Sequence, residues 1–420
     1  MNVDLLFPAF PPQLDGIGDY TAQLAAQLAT DGCSVRVFTA QPSPTPVPNV
    51  EVRPVLGPGR GLNQCSLAPA VDAMIEDPAD WLVVQYNPFS YGRYGWAADL
   101  VREIKRLRRQ YPSLRIAVMA HESFVDLADI RQNASFAIMT LWQRLHFWRL
   151  GRLADVVFLS TEPRAKRFTS WFPHAQVHHL PVGSNIPLCP VSEHLARAAF
   201  GLPPDAFIVG LFGTAHVTRL LPAVREALLH IREIRPNSLL LYVGPHGDTM
   251  RKVFHDLPMV DAGKRPAEEV STAFQAMNLY LAPFERGVST RRGSFLTGLQ
   301  HGIPTASTTG PDTGPLLRKH NGQAFVLSET DAVSDFGETV RSLLSHTPGP
   351  RSPLSLRRVG TRGQTLYREQ FDWPAISAQM RAVLTESSNA PFAHSSDAAQ
   401  MDLDMTTDSD VQPSLSSYVQ

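Results

Sequence analysis

Apolar positions along this chain come in two alternating rhythms. Short apolar runs of strand length are followed by stretches in which apolar residues recur three or four positions apart. VDLLFPAF is the first run. DGIGDY follows as a glycine turn, and TAQLAAQLATDG then places Leu24 and Leu28 on one helix face, with Gly32 as the stop. CSVRVFT is the next strand. This strand–loop–helix–strand unit is the building block of a parallel sheet.

The rhythm continues. WLVVQY (81–86), RIAVM (115–119), ADVVFLS (154–160) and VHHLPVG (177–183) read as buried strands. Helical stretches lie between them, from Ala98 to Gln110 and over 133–152. Pro187, Pro190 and Gly201-Leu202-Pro203-Pro204 break the series. A second series begins at AFIVGLFG (206–213) and runs through RLLPAVREALLHIREI, SLLLYVG (238–244) and a helix over 267–276. NLYLAPF (278–284), a helix over 293–301, PTAS and AFVL complete it. Pro222 falls in a first helical turn, where proline is tolerated. Two such series predict an α/β protein with two doubly wound domains.

Composition narrows the picture. The chain has 420 residues, 43% of them hydrophobic, enough for two cores. Its net charge of -1 gives no support for nucleic acid as a partner. Three scattered cysteines fit a reducing cytoplasm and no disulfide framework. No apolar stretch approaches the roughly 18–20 residues that span a bilayer, and MNVDLLFPAF lacks the pattern of a secretory leader. A cytoplasmic location is expected. The arginine-rich stretch from Arg102 to Arg115 is a solvated helix face that could also touch the anionic inner face of a membrane. Beyond Arg381 no Lys or Arg occurs, and residues 386–420 are expected to form a disordered acidic tail.

In open α/β sheets, ligands bind at the carboxyl ends of strands. Four loops there carry chemistry. Gly16 and Gly18 resemble a dinucleotide fingerprint, but Thr21 stands in place of the third glycine, and no acid ends the second strand. The glycines would still let a ligand approach a helix N-terminus. His121-Glu122-Ser123 follows RIAVM, and His121 could bind a sugar hydroxyl or act as acid or base. Arg219 closes the loop after the second domain's first strand, where it is either an anion ligand or a surface cation. The fourth loop, ERGVSTRRGS, brings Glu285, Ser289, Arg291, Arg292 and Ser294 to a helix start, a composition suited to phosphate. His178-His179 has no third ligand nearby, and no metal site is expected.

DGIGDYTAQLAAQLATDGCSVRVFT, His121, ADVVFLST, LLLYVGPHGD and LYLAPFERGVSTRRGSFLTGLQHGIPTAST together resemble the GT-B glycosyltransferases grouped in family 4, which use nucleotide sugars with retention. The resemblance implies two Rossmann-like domains facing a central cleft. Residues 1–186 would hold the acceptor, and 187–372 the nucleotide diphosphate sugar, a co-substrate with no other cofactor. A helix over 373–385 would cross back to the first domain. It implies catalytic roles for His121, Glu285 and Arg291, and donor contacts for Gly16, Gly18, Arg219, Gly244, Ser289, Arg291, Arg292, Ser294 and Thr297. The acceptor is an unspecified hydroxyl compound. The chain departs from the family's pair of signature carboxylates, whose places are taken by Ser289 and Thr297, with Glu285 four residues early. Two other readings stay open: a GT-B nucleotide-sugar epimerase, and a non-catalytic GT-B-like partner subunit.

Overall fold

Seven parallel strands build the first sheet: β1 (Asn2–Leu6), β2 (Ser34–Phe38), β3 (Val50–Arg53), β4 (Trp81–Tyr86), β5 (Arg115–Ala120), β6 (Val156–Leu159) and β7 (Gln176–His179). Their order across the sheet is 3-2-1-4-5-6-7. Six more form the second: β8 (Phe207–Phe212), β9 (Ser238–Val243), β10 (Met259–Asp261), β11 (Leu279–Leu281), β12 (Thr305–Thr308) and β13 (Val326–Ser328). Their order is 10-9-8-11-12-13, so both sheets reverse direction beside their first strand. That is the Rossmann arrangement, and the reversal opens a crevice at the strands' carboxyl ends. The computed structural model describes residues 1–125, 134–329, 332–345 and 355–389, with 134–137 as backbone only.

Every residue of β4 and β5 is buried, which explains why they read as continuous apolar runs rather than alternating ones. The first helix starts earlier than its pattern suggests. α1 spans Gly16–Thr30, so the expected glycine turn is the helix's own first turn. Asp15 caps it, its Oδ1 accepting from the amides of Ile17 and Gly18, each at 2.8 Å. Tyr20, Leu24 and Leu28 then face the sheet at four-residue spacing.

Other boundaries shift by local chemistry. The expected strand 177–183 ends at His179, and 278–284 shortens to three residues. Beyond these points the chain turns into the cleft, where its backbone pairs with loops: Val182 N–H donates to the Thr290 carbonyl at 3.0 Å. α2 (Ala98–Gln110) is the arginine-rich helix, and α3 (Gly293–Gln300) follows the ERGVSTRR loop. The last helix, α4, runs Trp373–Ser388, so residues 386–388 are helical where a tail was expected. The remainder of that tail, 390–420, lies outside the described residues.

α4 packs against the first sheet's elements. Ser377 Oγ donates to Asp31 at 2.7 Å, and Gln379 Nε2 donates to the His179 carbonyl at 2.8 Å. One apolar cluster runs unbroken from Leu5 and Leu24 through Val182 and Trp373 to Phe274 and Phe295 of the second domain. The two sheets are therefore joined by core as well as by chain.

Candidate active site in the interdomain cleft

The thirteen strands of the two large sheets run parallel, so the loops after β5, β8 and β11 and the start of α1 emerge on the crevice side. They enclose a cavity of about 480 Å³. Gly16, Tyr20, His121 and Glu122 form its first-domain wall, and His216, Thr218, Arg291 and Arg292 form the opposite one. A larger hollow of about 590 Å³ lies at the other, N-terminal end of the first sheet, beside the Asp4–Arg36–Asp77 ion pairs. Ligands of open α/β sheets do not bind at that end.

The second-domain wall is cationic. The Arg292 guanidinium lies over the Phe284 ring, 4.6 Å from its centroid; Arg219, buried and behind the cavity wall rather than on it, lies 5.4 Å from the same centroid. Burial, followed by the charge of Arg291, pushes the Arg292 guanidinium down to about 10. It remains charged at neutral pH but is strained by like neighbours. Arg292 Nε and Arg219 Nη1 are buried with no hydrogen-bond partner among the described residues. The buried hydroxyl of Ser289 is likewise unpartnered. Ser294 sits in the first turn of α3, which no side chain caps, near the buried Tyr280 hydroxyl.

Arg291 differs from its neighbour. It donates to Glu122 across the cleft and faces Asp312 at 3.6 Å. The other oxygen of Glu122 accepts from Arg164 at 2.7 Å. Arg291, expected as a free phosphate ligand, is thus engaged by carboxylates.

On the first-domain wall, His121 Nε2 faces Oε1 of the buried Gln85 at 2.7 Å. The Tyr20 ring meets the imidazole edge-on at 4.7 Å. Burial pushes the imidazole down to about 3, so it is neutral at pH 7. Protonation of the ring is disfavoured by this burial. Hydrogen bonding by the neutral ring is retained.

Several sequence candidates are placed elsewhere. Glu285 is exposed and outside the cavity wall; its amide donates to the Thr218 carbonyl at 2.9 Å. Thr297 is buried in α3, its hydroxyl donating to the Gly293 carbonyl and lying 2.9 Å from Ser184 Oγ. Gly18 and Gly244 serve packing. A Cβ on Gly18 would stand 3.1 Å from the Ala9 carbonyl oxygen, and one on Gly244 2.3 Å from that of Gly213. Gly16 alone of the three lines the cavity, its carbonyl accepting from Asn185 at 3.0 Å.

Sequence reasoning passed over Tyr20, Gln85 and Asn185. Tyr20 had a signal: it stands four residues after Gly16 and so shares its helix face. Gln85 had one too, as the polar residue inside WLVVQY. Asn185 had none.

The basic helix α2 is largely neutralised. Arg102 pairs with Asp99 and Glu103, Arg106 with Glu103 and Asp72, and Arg108 with Asp155. No described helix is long and apolar enough to cross a membrane. Among the described residues, no cluster of three or more His, Cys, Asp or Glu is placed to hold a metal ion.

Comparison with known proteins agrees with this geometry. Residues 15–183 match the glycosyl transferase 4-like domain. The chain is 23% identical over 429 aligned positions to the D-inositol 3-phosphate glycosyltransferase of Gordonia bronchialis, covering 92% of this chain and 88% of the relative. Its fold is similar to sucrose-phosphate synthase from Thermosynechococcus elongatus, with a TM-score of 0.68 at 18% identity, over 92% of this chain and 98% of that one. It is also similar to HepE of Anabaena, solved in complex with UDP-glucose, with a TM-score of 0.61 at 14% identity over 92% and 100% of the two chains. Fold, domain match and sequence relatives converge: the chain is a glycosyltransferase of the GT-B fold, with a glycosyl transferase 4-like domain over residues 15–183.

Proposed function

We propose that this glycosyltransferase takes its sugar from a nucleoside diphosphate donor, passes it to a hydroxyl acceptor, and retains the anomeric configuration. The observation that carries the donor class is the pair of unpartnered guanidinium N–H groups, Arg292 Nε and Arg219 Nη1, beside the uncapped start of α3. A buried charged donor without a partner costs about 1–3 kcal/mol or more. A diphosphate would satisfy both, and helix-terminal amides would complete the cradle. HepE, similar in fold, was solved with UDP-glucose, which supports the same donor class. Retention rests on the resemblance to family 4.

In the proposed reaction the bond from the anomeric carbon to the diphosphate oxygen breaks, and its electrons stay with the diphosphate. Arg219 and Arg292 stabilise that charge as it grows. The acceptor oxygen bonds the anomeric carbon and gives up its proton. Neutral His121 is a weak base with its pKa near 3, and Glu122 is held ionised by two arginines. The leaving diphosphate oxygen is the better proton acceptor. His121 instead hydrogen-bonds the sugar.

A second reading has its own support. Ser289 and Thr297 hold the two signature positions and exposed Glu285 lies off the cavity wall, so no carboxylate stands there, as in a non-catalytic subunit. The test is a thermal-shift panel of UDP-, GDP- and ADP-sugars, followed by product analysis with and without acceptor. A donor at 100 times its Kd should add about 2.7 kcal/mol of stability. No shift with any donor sinks the proposal; a shift without turnover selects the second reading.

A further inference from the structure

The cavity wall carries a group that neither packing nor the proposed diphosphate site accounts for. Tyr20 is 2% exposed, yet its hydroxyl has no hydrogen-bond partner among the described residues. Its ring is fixed from two sides, edge-on to His121 at 4.7 Å and against Trp373 of α4 at 5.2 Å. It lines the cavity together with His121. Phenylalanine would give the same ring contacts without leaving a buried hydroxyl unsatisfied, an arrangement native proteins rarely keep without reason. Burial holds the phenol well above its ordinary range, so the oxygen keeps its proton and can donate. A second unpartnered donor, Gln85 Nε2, lies buried on the same amide whose oxygen faces His121.

We infer that the Tyr20 hydroxyl is a substrate contact on the first domain that binds a hydroxyl of the sugar being transferred. His121 and Tyr20 line the same cavity, so a sugar bound by the imidazole lies beside Tyr20, while the diphosphate is gripped by the opposite wall. Sugar and nucleotide recognition are thereby divided between the domains. Trp373 makes the division depend on α4: its indole packs on Tyr20 and its Nε1 donates to the Ser184 carbonyl at 3.0 Å in the interdomain segment. The inference rests on the donor class proposed above.

The experiment is calorimetric titration of the full chain and its Tyr20→Phe variant with UDP-glucose, GDP-mannose and ADP-glucose, and with UDP, GDP and ADP alone. Melting temperatures are measured in parallel. The variant should bind the preferred sugar nucleotide on the order of tenfold more weakly. It should keep the bare diphosphate within about twofold, and melt at the same temperature or higher, because it loses an unsatisfied buried hydroxyl. Unchanged discrimination between sugar nucleotide and bare diphosphate overturns the inference, as does a lowered melting temperature with parallel loss of both ligands. If the parent chain binds no nucleotide at all, the donor reading has failed, and the inference falls with it.

Discussion

Glu122 of the first domain accepts from Arg291 of the second and, through its other oxygen, from Arg164 at 2.7 Å. This carboxylate is a tether across the cleft, and it holds the cation that a donor diphosphate would otherwise meet. Burial alone would raise its pKa, but Arg291 and then Arg164 outweigh that and hold it below the usual carboxylate range. Its folded-state pKa therefore lies below its ordinary value of 4.5. The contribution is present above that pH and is lost as pH falls through the folded pKa. Glu122→Gln should cost about 1–3 kcal/mol at pH 7, since both side chains are largely shielded from water. The melting-temperature gap between parent and variant should close as pH drops below about 4.5. A gap that stays constant from pH 7 to 3.5 would show that the ion pair contributes nothing.

His121 offers a test of opposite sign. Burial lowers its pKa to about 3, against about 6.5 when unfolded. Above pH 6.5 both states are neutral and the group is silent. Below it the unfolded chain takes a proton that the folded chain refuses, so this group's contribution disfavours folding increasingly down to about pH 3. The imidazole should show no NMR titration between pH 5 and 8. The pH profile of kcat/KM should carry no inflection that disappears in His121→Gln. A titration near 6.5 in the folded protein would contradict both.

Much of this fold could be read from the sequence because parallel-sheet burial leaves unmistakable runs. WLVVQY and RIAVM are strands for the reason that they look like strands: every residue is buried. The edge strands Val50–Arg53 and Met259–Asp261 escaped notice because half-exposed edges carry no apolar run. The helix Leu356–Gln370 escaped because its exposed face is rich in arginine and its buried face includes glycines, Gly360 and Gly363. At the site, loops were legible but pairings were not. Arg291 and Arg292 are neighbours of the same type, yet one is held by Glu122 and Asp312 while the other rests on Phe284. Their partners come from residues far away in sequence. No local pattern records which arginine faces a carboxylate.

Thr297 stands where the family resemblance implies a carboxylate, and its surroundings explain why it cannot simply be restored. The side chain is 1% exposed and its hydroxyl meets Ser184 Oγ at 2.9 Å across the interdomain segment. Thr297→Val should keep the volume and leave Ser184 with a poorer set of partners, costing about 1–3 kcal/mol. Thr297→Glu should cost more, since it adds both length and a charge to a filled site. Chemical denaturation of both variants checks this. A Glu variant as stable as the parent would mean that the helix can rotate the position into the cleft.

Arg292 should show a trade between stability and binding. Its charge is disfavoured in the folded chain, first by burial and then by Arg291, and its Nε has no hydrogen-bond partner among the described residues. Because its folded pKa is lowered to about 10 from an ordinary value above 12, the unfolded chain accommodates the proton more readily at every pH below about 10. Arg292→Met keeps an unbranched side chain against Phe284 and removes both penalties. The variant without ligand should therefore gain on the order of 1 kcal/mol, as relief of a strained functional group commonly does. The same change should abolish most of the donor-induced thermal shift and lower kcat about 100-fold or more, as loss of a single preorganised donor to a developing anion does. Arg292→Lys separates charge from geometry: it keeps the cation but not the planar fork, and should recover only part of the donor response. Thermal shifts of all three proteins with and without the preferred donor decide the matter. If Arg292→Met is less stable than the parent yet binds donor equally well, Arg292 is a packing residue and the diphosphate lies elsewhere.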